Sequence, residues 1–445
     1  MNPYVQKVLT DLEKRCQHEP EFIQAARLIL TSVSPVIDKH PEYEKAALLE
    51  SLMEPERIIS FRVPWIDDQG KTQINRAWRV QYNSAIGPYK GGIRFHPSVT
   101  MGTLKFLALE QTLKNALTGL PLGGGKGGSD FNPHGKSDAE VMRFCQSLMN
   151  ELYRYLGEDT DVPAGDIGVG AREVGYMFGQ YKRLKNKFVG VFTGKGLSFG
   201  GSNMRPEATG FGLSYLTQAM LKTINQSFND KRVVISGSGN VAIYAAQKVA
   251  ELGATVVAMS DSDGYVVDEE GIKLDWLKDL KFSQRARISR YPEMGYGQYF
   301  EGCQNIWTVP CDIALPCATQ NELSLVGAKA LVQNGVIAVS EGANMPTTPD
   351  AITYLQQNGV LFAPGKAANA GGVSVSGLEM SQNSLRLSWS REEIDIRLHD
   401  IMQNIFKSVQ HAAQTYAADP KDYETGANIA GFVKVAEAMM AQGAV

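Results

Sequence analysis

The sequence is poor in cysteine and histidine, and neither residue type has the spacing of a metal site. Among 445 residues there are 5 cysteines and 6 histidines, with no C-x-x-C pair and no H-E-x-x-H motif. An odd number of scattered cysteines is typical of a reduced cytoplasmic protein rather than a disulfide framework. We therefore expect a cytoplasmic protein without a bound metal.

Long apolar runs and an excess of charge of one sign are also missing. No apolar run approaches the ~20 residues of a membrane-spanning helix, and the polar, amphipathic start lacks the pattern of a signal peptide. The formal net charge of −3 gives no electrostatic reason to bind nucleic acid or an anionic membrane. We expect no partner of either class. The length exceeds that of a usual single core, so we expect two domains.

The pattern of the chain changes near its middle. Before residue 189, helices at the start are followed by two predicted strands around a turn at 68–70 and by further helices near 103–119 and 137–156. The segment 189–206 is rich in glycine and serine and is a candidate hinge. After it, short apolar strands alternate with helices, as in a parallel sheet, and the chain ends in helices. We predict an α/β protein of two domains.

A dinucleotide-binding turn begins the second half. Gly237, Ser238, Gly239, Asn240, Val241 and the following alanine match G-x-G-x-x-A between a predicted strand, RVVIS, and a helix. The first glycine permits the tight turn, and the second lets a pyrophosphate approach the backbone at the helix N-terminus. An acidic residue, Asp261, ends the next strand, TVVAMSD, as this motif requires. The pattern predicts a Rossmann-type domain.

Three lysines of the first half have unusual surroundings. Lys90 and Lys126 lie in the glycine-rich segments PYKGGIRF and LGGGKGGS, and Lys114 lies on a predicted helix. A lysine near other cations and partly buried has a depressed pKa, which suits proton transfer. Gln111 and Lys114 share one helix face and can grip a carboxylate. A P-loop is excluded because Leu120 and Gly127 occupy two of its fixed positions.

Asp166, in DVPAGDIGVG, is a further candidate acid/base group. Small and apolar residues surround its carboxylate, and that environment suits a residue that exchanges protons. Taken alone, the same segment is more typical of an Asx-turn or a helix cap than of an acid/base residue.

Together these motifs resemble a known family. LPLGGGKGGSDFNP is similar to the active-site signature of the glutamate/leucine/phenylalanine/valine dehydrogenase family. Segments over nearly the whole chain resemble the glutamate-specific, bacterial-type hexameric branch of that family. They are PYKGGIRFHP, DVPAGDIGVG, FTGKGLSFGGS, RPEATGFG, ALPCATQNEL, EGANMPTT and APGKAANAGGVSVSGLEMSQN. The resemblance implies a homohexamer that converts L-glutamate reversibly to 2-oxoglutarate and ammonia with a nicotinamide dinucleotide.

The resemblance also implies roles for individual residues. Lys126 corresponds to the catalytic lysine and Asp166 to the proton shuttle. Lys90 and Ser376 correspond to the groups that bind the substrate side-chain carboxylate. Three groups correspond to those that hold the α-carboxylate: Gln111, Lys114 and the backbone of Gly165.

The implied domains and coenzyme contacts complete this expectation. A substrate-binding and oligomerisation domain spans residues 1–200 and is completed by a C-terminal helix at 425–445. A Rossmann-type domain spans residues 201–424. Three side chains are assigned to the dinucleotide in addition to the glycine turn: Thr209, Asn240 and Asn344.

The choice between NADP and NAD depends on the end of the second Rossmann strand, Ser260-Asp261-Ser262-Asp263. Taken alone, Asp261 indicates NAD, because an acidic residue there binds the ribose 2′-hydroxyl and repels a 2′-phosphate. The serines resemble the NADP-dependent branch, and so does Lys136. A basic stretch follows at Lys281, Arg285, Arg287 and Arg290. We predict NADP, with Ser260, Asp261, Lys136 and Arg287 as contacts, and keep NAD as the alternative.

Two other functions remain open at this point. A leucine, valine or phenylalanine dehydrogenase would need an apolar side-chain pocket, and a lysine at position 90 with a serine at 376 argues against one. A catalytically silent nucleotide-binding protein is disfavoured because Lys90, Lys114, Lys126 and Asp166 are all present.

Overall fold

The computed structural model describes residues 1–443, and the contacts between residues divide the chain into two compact units. Unit 1 comprises Met1–Asn203, Val375–Ile394 and the chain from Asn428 onward. Unit 2 comprises Met204–Ser374 and Asp395–Ala427. The boundary near residue 203 falls within the glycine-rich segment, and the three later boundaries fall inside helices.

Residues 375–394 differ from the domain division drawn from the sequence, which put them in the second domain. Their side chains bond to the end of the first segment of unit 1, where Glu379 pairs with Lys195 and Gln382 donates to Ser202. These buried polar contacts therefore join this helical segment to unit 1.

Helices account for most of the regular structure in the described residues. In chain order they are α1 (Pro3–Arg15), α2 (Pro20–Ile37), α3 (Glu42–Lys45), α4 (Leu48–Leu52), α5 (Met101–Leu117), α6 (Asp138–Leu152), α7 (Ala171–Lys185), α8 (Ala208–Lys222), α9 (Asn240–Glu251), α10 (Leu274–Lys278), α11 (Leu325–Gln333), α12 (Pro349–Gln357), α13 (Gly365–Ala368), α14 (Gly371–Leu385), α15 (Arg391–Tyr416) and α16 (Tyr423–Gln442). Within residues 1–443, none of these helices has the length and apolar character needed to cross a bilayer.

The strands form one sheet in each unit. In chain order they are β1 (Arg57–Ile66), β2 (Thr72–Asn83), β3 (Tyr89–Phe95), β4 (Gly124–Ser129), β5 (Asp161–Gly165), β6 (Arg232–Ile235), β7 (Thr255–Ser260), β8 (Gly264–Val267), β9 (Gln298–Glu301), β10 (Ile313–Leu315), β11 (Ala338–Ser340) and β12 (Leu361–Ala363). Strand order is β1-β2-β4-β3-β5 in unit 1 and β12-β11-β10-β6-β7-β8-β9 in unit 2.

The sheet of unit 1 depends on glycine at its centre. β4 pairs antiparallel with β2 and parallel with β3, and β3 pairs parallel with β5. A Cβ at Gly124 would lie 1.8 Å from Thr112 Oγ1 of α5, and one at Gly91 would lie 1.6 Å from the Gly125 carbonyl oxygen. The glycines therefore let α5 pack directly on the backbone of β3 and β4, the strands that carry Lys90 and Lys126.

The sheet of unit 2 confirms the predicted Rossmann-type α/β fold. β12, β11, β10, β6 and β7 are parallel, so the carboxyl ends of β6, β7 and β10 meet at one edge. Two further strands were not predicted from the sequence: β8 pairs antiparallel with β7, and β9 pairs antiparallel with β8. Each has only four residues; those of β8 alternate between buried and half-buried, and those of β9 are mostly exposed, so neither has the continuous burial of the parallel strands.

Candidate active site

Lys126 and Asp166 face each other across the sheet of unit 1. Lys126 lies in β4 and Asp166 follows the last residue of β5. The Lys126 Nζ is 3.2 Å from Asp166 Oδ2, and Arg94 Nε donates to the same oxygen at 2.8 Å. Gly92 of β3 makes room for this contact, because a Cβ there would lie 2.8 Å from Asp166 Cβ.

The electrostatics of this pair favour proton exchange. Burial lowers the pKa of Lys126; the Asp166 carboxylate opposes the shift, and Arg94 reinforces it. Burial by itself would raise the pKa of Asp166, but the charges of Lys126 and Arg94 outweigh it and hold that pKa below its usual value. Lys126 therefore loses its proton more readily than an ordinary lysine, next to a carboxylate that is ionised at neutral pH.

Lys90 is a second buried lysine of the same sheet. Its side chain, on β3, is 1% exposed and donates to Thr193 Oγ1 at 2.7 Å. Ser376 of α14 is also buried. A cavity of about 390 Å³ is lined by Pro88, which lies two residues before Lys90, and by Gly377, which follows Ser376. The start of β3 and part of α14 therefore border the same cavity, as binding of one carboxylate by Lys90 and Ser376 would require.

Gln111 and Lys114 project from α5 beside β3. Both are half-buried, and the Cγ of Gln111 lies 3.4 Å from the Cβ position of Gly91. Gln111 Nε2 donates to Asn115 Oδ1 at 2.6 Å, and the Asn115 amide donates to the Lys90 carbonyl oxygen at 3.0 Å. Gly165 ends β5 opposite Ile93. Unit 1 thus contains all the predicted substrate-binding residues, and Lys90, Gln111 and Gly165 lie on or beside β3.

The glycine turn of unit 2 has the conformation that a pyrophosphate site needs. Gly237 has φ +88°, and its N–H donates to Ser260 Oγ at 2.9 Å across the ends of β6 and β7. Open space lies beside Gly239, where a Cβ would meet no atom within 4 Å. Helix α9 begins at Asn240, followed by Val241, so its free N–H groups face this space. The turn fits a dinucleotide phosphate.

A cavity of about 780 Å³ adjoins this turn. The residues that line it include six of the predicted coenzyme contacts: Gly237, Ser238, Gly239, Ser260, Asp261 and Arg287. The hydroxyl of Ser262 and the ammonium group of Lys281 also line it. Its size and its position at the carboxyl ends of parallel strands are those of a ligand site in a doubly wound sheet.

Asp261 lines this cavity, but its carboxylate is engaged by the backbone. One oxygen accepts the N–H groups of Asp263 at 3.0 Å and Gly264 at 3.3 Å, and the other accepts that of Ile288 at 3.1 Å. Arg287 donates to Ser262 Oγ at 2.5 Å. Asp261 therefore braces the loop that presents Ser262 and Arg287, and those three backbone donors compete with a ribose hydroxyl for it.

Besides Asn240 and Val241 at the start of α9, three predicted coenzyme residues lie outside the lining of this cavity. Thr209, on α8, has its Oγ1 2.7 Å from the Cβ position of Gly372. Asn344 Oδ1 accepts from Asn369 Nδ2 at 2.9 Å. Lys136 belongs to unit 1, where its ammonium group lies 5.6 Å from the centre of the Trp65 ring. Their roles toward a coenzyme stay predictions.

Two family profiles cover most of the chain. One, described as Glu/Leu/Phe/Val dehydrogenase, dimerisation domain, matches residues 55–183, and the other, Glutamate/Leucine/Phenylalanine/Valine dehydrogenase, matches residues 200–443. The chain belongs to the glutamate/leucine/phenylalanine/valine dehydrogenase family.

Relatives within the glutamate/leucine/phenylalanine/valine dehydrogenase family match end to end. The NADP-specific glutamate dehydrogenase of Salmonella typhi is 59% identical over 446 residues, 99% of each chain. The NAD-specific glutamate dehydrogenase of Bacteroides fragilis is 54% identical over 448 residues, 99% of this chain and 100% of the relative. The crystal structure of Plasmodium falciparum glutamate dehydrogenase has a TM-score of 0.96 at 51% identity, covering 99% of this chain and 95% of that one.

The structure adds two site residues that the sequence analysis of this family member missed. Arg94 bonds to Asp166, and Thr193 accepts from Lys90. Arg94 lies in the PYKGGIRFHP segment, two residues after Gly92, so its neighbourhood was visible as a motif. Thr193 lies in the glycine-rich segment read as a hinge, and no local signal placed it beside a lysine 103 residues earlier.

Proposed function

We propose that the chain is an NADP-dependent glutamate dehydrogenase, which interconverts L-glutamate with 2-oxoglutarate and ammonia. The observation that carries this proposal is the buried Lys90, in the same sheet as the Lys126–Asp166 pair. A buried ammonium group at the substrate site favours a side chain with a negative charge. The leucine, valine and phenylalanine dehydrogenases of this family act on apolar side chains, for which that charge is unsuited.

Two sets of groups position the amino acid in this proposal. Lys90 and Ser376 hold the side-chain carboxylate. Gln111 and Lys114, with the backbone of Gly165, hold the α-carboxylate. Binding both carboxylates leaves one orientation for the α-carbon, so binding energy is used to align the reacting bond.

Lys126 and Asp166 handle the protons. In the oxidative direction the α-carbon loses a hydride and an imine forms on the substrate. Neutral Lys126 takes a proton from the water that attacks this imine, and Asp166 passes protons to the departing ammonia. The lowered pKa of Lys126 supports this role because it enlarges the neutral fraction near physiological pH.

Unit 2 holds the coenzyme in this proposal. The chemistry that a bound nicotinamide dinucleotide supplies is acceptance of the hydride. The turn at 237–240 cradles its pyrophosphate, and the serine and cations at the end of β7 receive a 2′-phosphate. Engagement of Asp261 by three N–H groups supports NADP, because it moderates the repulsion that a free carboxylate would exert.

NAD use, alone or with NADP, is the second candidate. Asp261 lies in the lining of the cavity, and Asp263 pairs with Arg287 at 3.3 Å, so negative charge stays near the proposed 2′-phosphate. The NAD-specific relative from Bacteroides fragilis is 54% identical over its full length.

The proposal includes a cytoplasmic homohexamer. The match to a profile named for dimerisation supports assembly through unit 1. Ile66 and Ile74, at the end of the β1–β2 hairpin, are 51% and 60% exposed, and β1 is an edge strand. An open strand edge with exposed isoleucines favours pairing with another chain.

One assay tests the proposal. Coenzyme absorbance is followed with glutamate, leucine, valine and phenylalanine, each with NADP and with NAD. We expect turnover with glutamate and NADP to exceed every other combination. A preference for leucine would identify a branched-chain dehydrogenase, equal rates with NAD a dual-coenzyme enzyme, and no turnover with any pair a protein that only binds nucleotide.

A further inference from the structure

A buried ion pair outside the proposed substrate contacts joins the loop 192–200 to α14. Lys195 Nζ is 2.7 Å from Glu379 Oε1, and the two side chains are 1% and 0% exposed. Lys195 also donates to Asn383 Oδ1 at 2.8 Å, and Asn383 donates to the Gly200 carbonyl oxygen at 2.7 Å. Glu379 and Asn383 lie one helical turn apart, so one face of α14 holds both ends of the loop.

The same pair fixes the backbone on which Thr193 stands. Glu379 Oε2 accepts the N–H of Gly194 at 2.9 Å, and Lys195 Nζ donates to the carbonyl of Phe192. Phe192 has φ +64°, an unfavourable conformation for a bulky residue that persists only where its surroundings enforce it. The two charged side chains therefore clamp the residues immediately before and after Thr193.

These contacts connect the ion pair to Lys90. Thr193 donates its N–H to the Pro163 carbonyl oxygen at 2.9 Å, beside the point where Lys90 pairs with Val162. The Thr193 hydroxyl oxygen accepts a hydrogen bond from the Lys90 ammonium group at 2.7 Å. Glu379 lies three residues after Ser376 on α14, so both are on the same side of the helix. One charged pair thus contacts the backbone on both sides of Thr193, the partner of Lys90, and lies on the helix that carries Ser376.

We propose that Lys195 and Glu379 are positioning residues that set the selectivity for a dicarboxylate by holding Thr193 against Lys90 and Ser376 in register. A buried ion pair gives little net stability, because desolvation of the two charges offsets their attraction, but it demands one geometry. That geometry is useful here because Lys90 is long and flexible, and Thr193 restricts where its ammonium group lies. This inference rests on the proposed glutamate dehydrogenase function.

The test removes both charges together. Lys195→Met with Glu379→Leu replaces the pair by apolar side chains of similar size, a change that folded proteins often tolerate. We expect the KM for 2-oxoglutarate to rise by about tenfold or more while the KM for NADPH stays the same. The preference for 2-oxoglutarate over 2-oxopentanoate, which has no terminal carboxylate, should fall by a similar factor. A general loss of structure would instead lower the rate with both oxo acids equally.

A second, largely buried ion pair provides the control, with side chains 6% and 16% exposed. Lys105 Nζ is 2.9 Å from Glu19 Oε2 in the same unit, and no described contact joins it to Thr193. Lys105→Met with Glu19→Leu should leave the preference between the two oxo acids unchanged. If the Lys195/Glu379 double variant does not fold, Glu379→Gln tests the same point. The neutral amide removes the ion pair with the Lys195 ammonium group and should also weaken the preference.

The outcomes separate the two proposals. An unmodified enzyme that reduces no 2-oxo acid would reject the glutamate dehydrogenase function. An active, selective enzyme whose folded Lys195/Glu379 variant, or whose Glu379→Gln variant, keeps the full preference would reject the positioning role. Equal loss of preference in the Lys105/Glu19 control would also reject it.

Discussion

At the scale of the residue, the chemistry depends on one ion pair in which neither partner has its ordinary acidity. Lys126 lies in a strand of glycines, so its ammonium group is surrounded by backbone and by Asp166. Arg94 adds a second cation at the same carboxylate. Asp166 therefore stays ionised, while the lowered pKa of Lys126 increases its neutral fraction. This combination suits an acid/base pair.

Replacing either member of this pair should remove most of the activity. Lys126→Ala and Asp166→Asn should each lower kcat for glutamate by roughly 100-fold or more, the scale of a lost positioned acid/base group. Coenzyme affinity should be unchanged, because the glycine turn and its cavity belong to unit 2. Steady-state rates and NADPH binding by fluorescence measure the two effects.

The pH profile provides a check on this assignment. Because only neutral Lys126 accepts a proton, kcat/KM should increase with pH and level off below the pKa of an ordinary lysine. Near-normal turnover in Lys126→Ala or in Asp166→Asn would exclude the replaced residue from the mechanism.

Coenzyme choice is a second property of single side chains. Lys281 and Arg287 line the cavity, so Lys281→Gln with Arg287→Gln should lower kcat/KM for NADP by about 10- to 100-fold and leave that for NAD nearly unchanged. Arg290→Gln is the control, because Arg290 pairs with Glu293 at 2.8 Å. Lys136→Gln, measured in parallel, tests the role predicted for Lys136. An unchanged NADP/NAD ratio in the double variant would mean that other groups bind the phosphate.

At the scale of the element, β4 shows how a strand of glycines places one functional side chain. Glycine is unfavourable in a strand interior, since it packs no side chain and loses the most backbone entropy. Here the cost is offset because α5 and β3 approach the β4 backbone closely. The short distance brings Gln111 of α5 next to Gly91 of β3.

A pair of glycine substitutions tests this reading. Gly124→Ala should destabilise unit 1 by about 3 kcal/mol, because its Cβ would collide with Thr112 Oγ1. Gly179→Ala, at an exposed site in α7 with no atom within 4 Å of the new Cβ, should stabilise by about 0.5 to 1 kcal/mol. Chemical denaturation measures both. Equal stability of the two variants would contradict the close-packing explanation.

At the scale of the whole molecule, the open edge of β1 supports the proposed assembly. Light scattering should give a mass six times the 48.6 kDa of one chain. Ile66→Lys with Ile74→Lys places charges at the end of the β1–β2 hairpin, next to that edge, and should shift the population toward smaller species. Arg62→Lys is a control on the same strand. A monomeric mass at micromolar concentration would reject the hexamer, and an unchanged mass in the double variant would place the interface elsewhere.

Much of the fold could be predicted from the sequence because its signals are local. Gly237 has the positive φ that the G-x-G-x-x-A turn requires, and α9 begins at Asn240 where the pattern places it. Apolar runs of three to six residues between helical segments are enough to indicate the parallel strands β6, β7, β10, β11 and β12. Strands β8 and β9 were missed because each has only four residues, and the edge strand β9 is mostly exposed to solvent.

The sequence by itself determined the residue types and the local geometry of this protein: the dinucleotide turn, the glycine-flanked lysines and the alternation of strands and helices. Turns and helices follow from backbone conformation within a few residues, so the sequence encodes them directly. Tertiary structure alone decided that Arg94 meets Asp166, 72 residues away, and that Lys90 meets Thr193. Those contacts follow from the strand order β4-β3-β5 and from burial, which depend on how distant segments pack and on no local pattern.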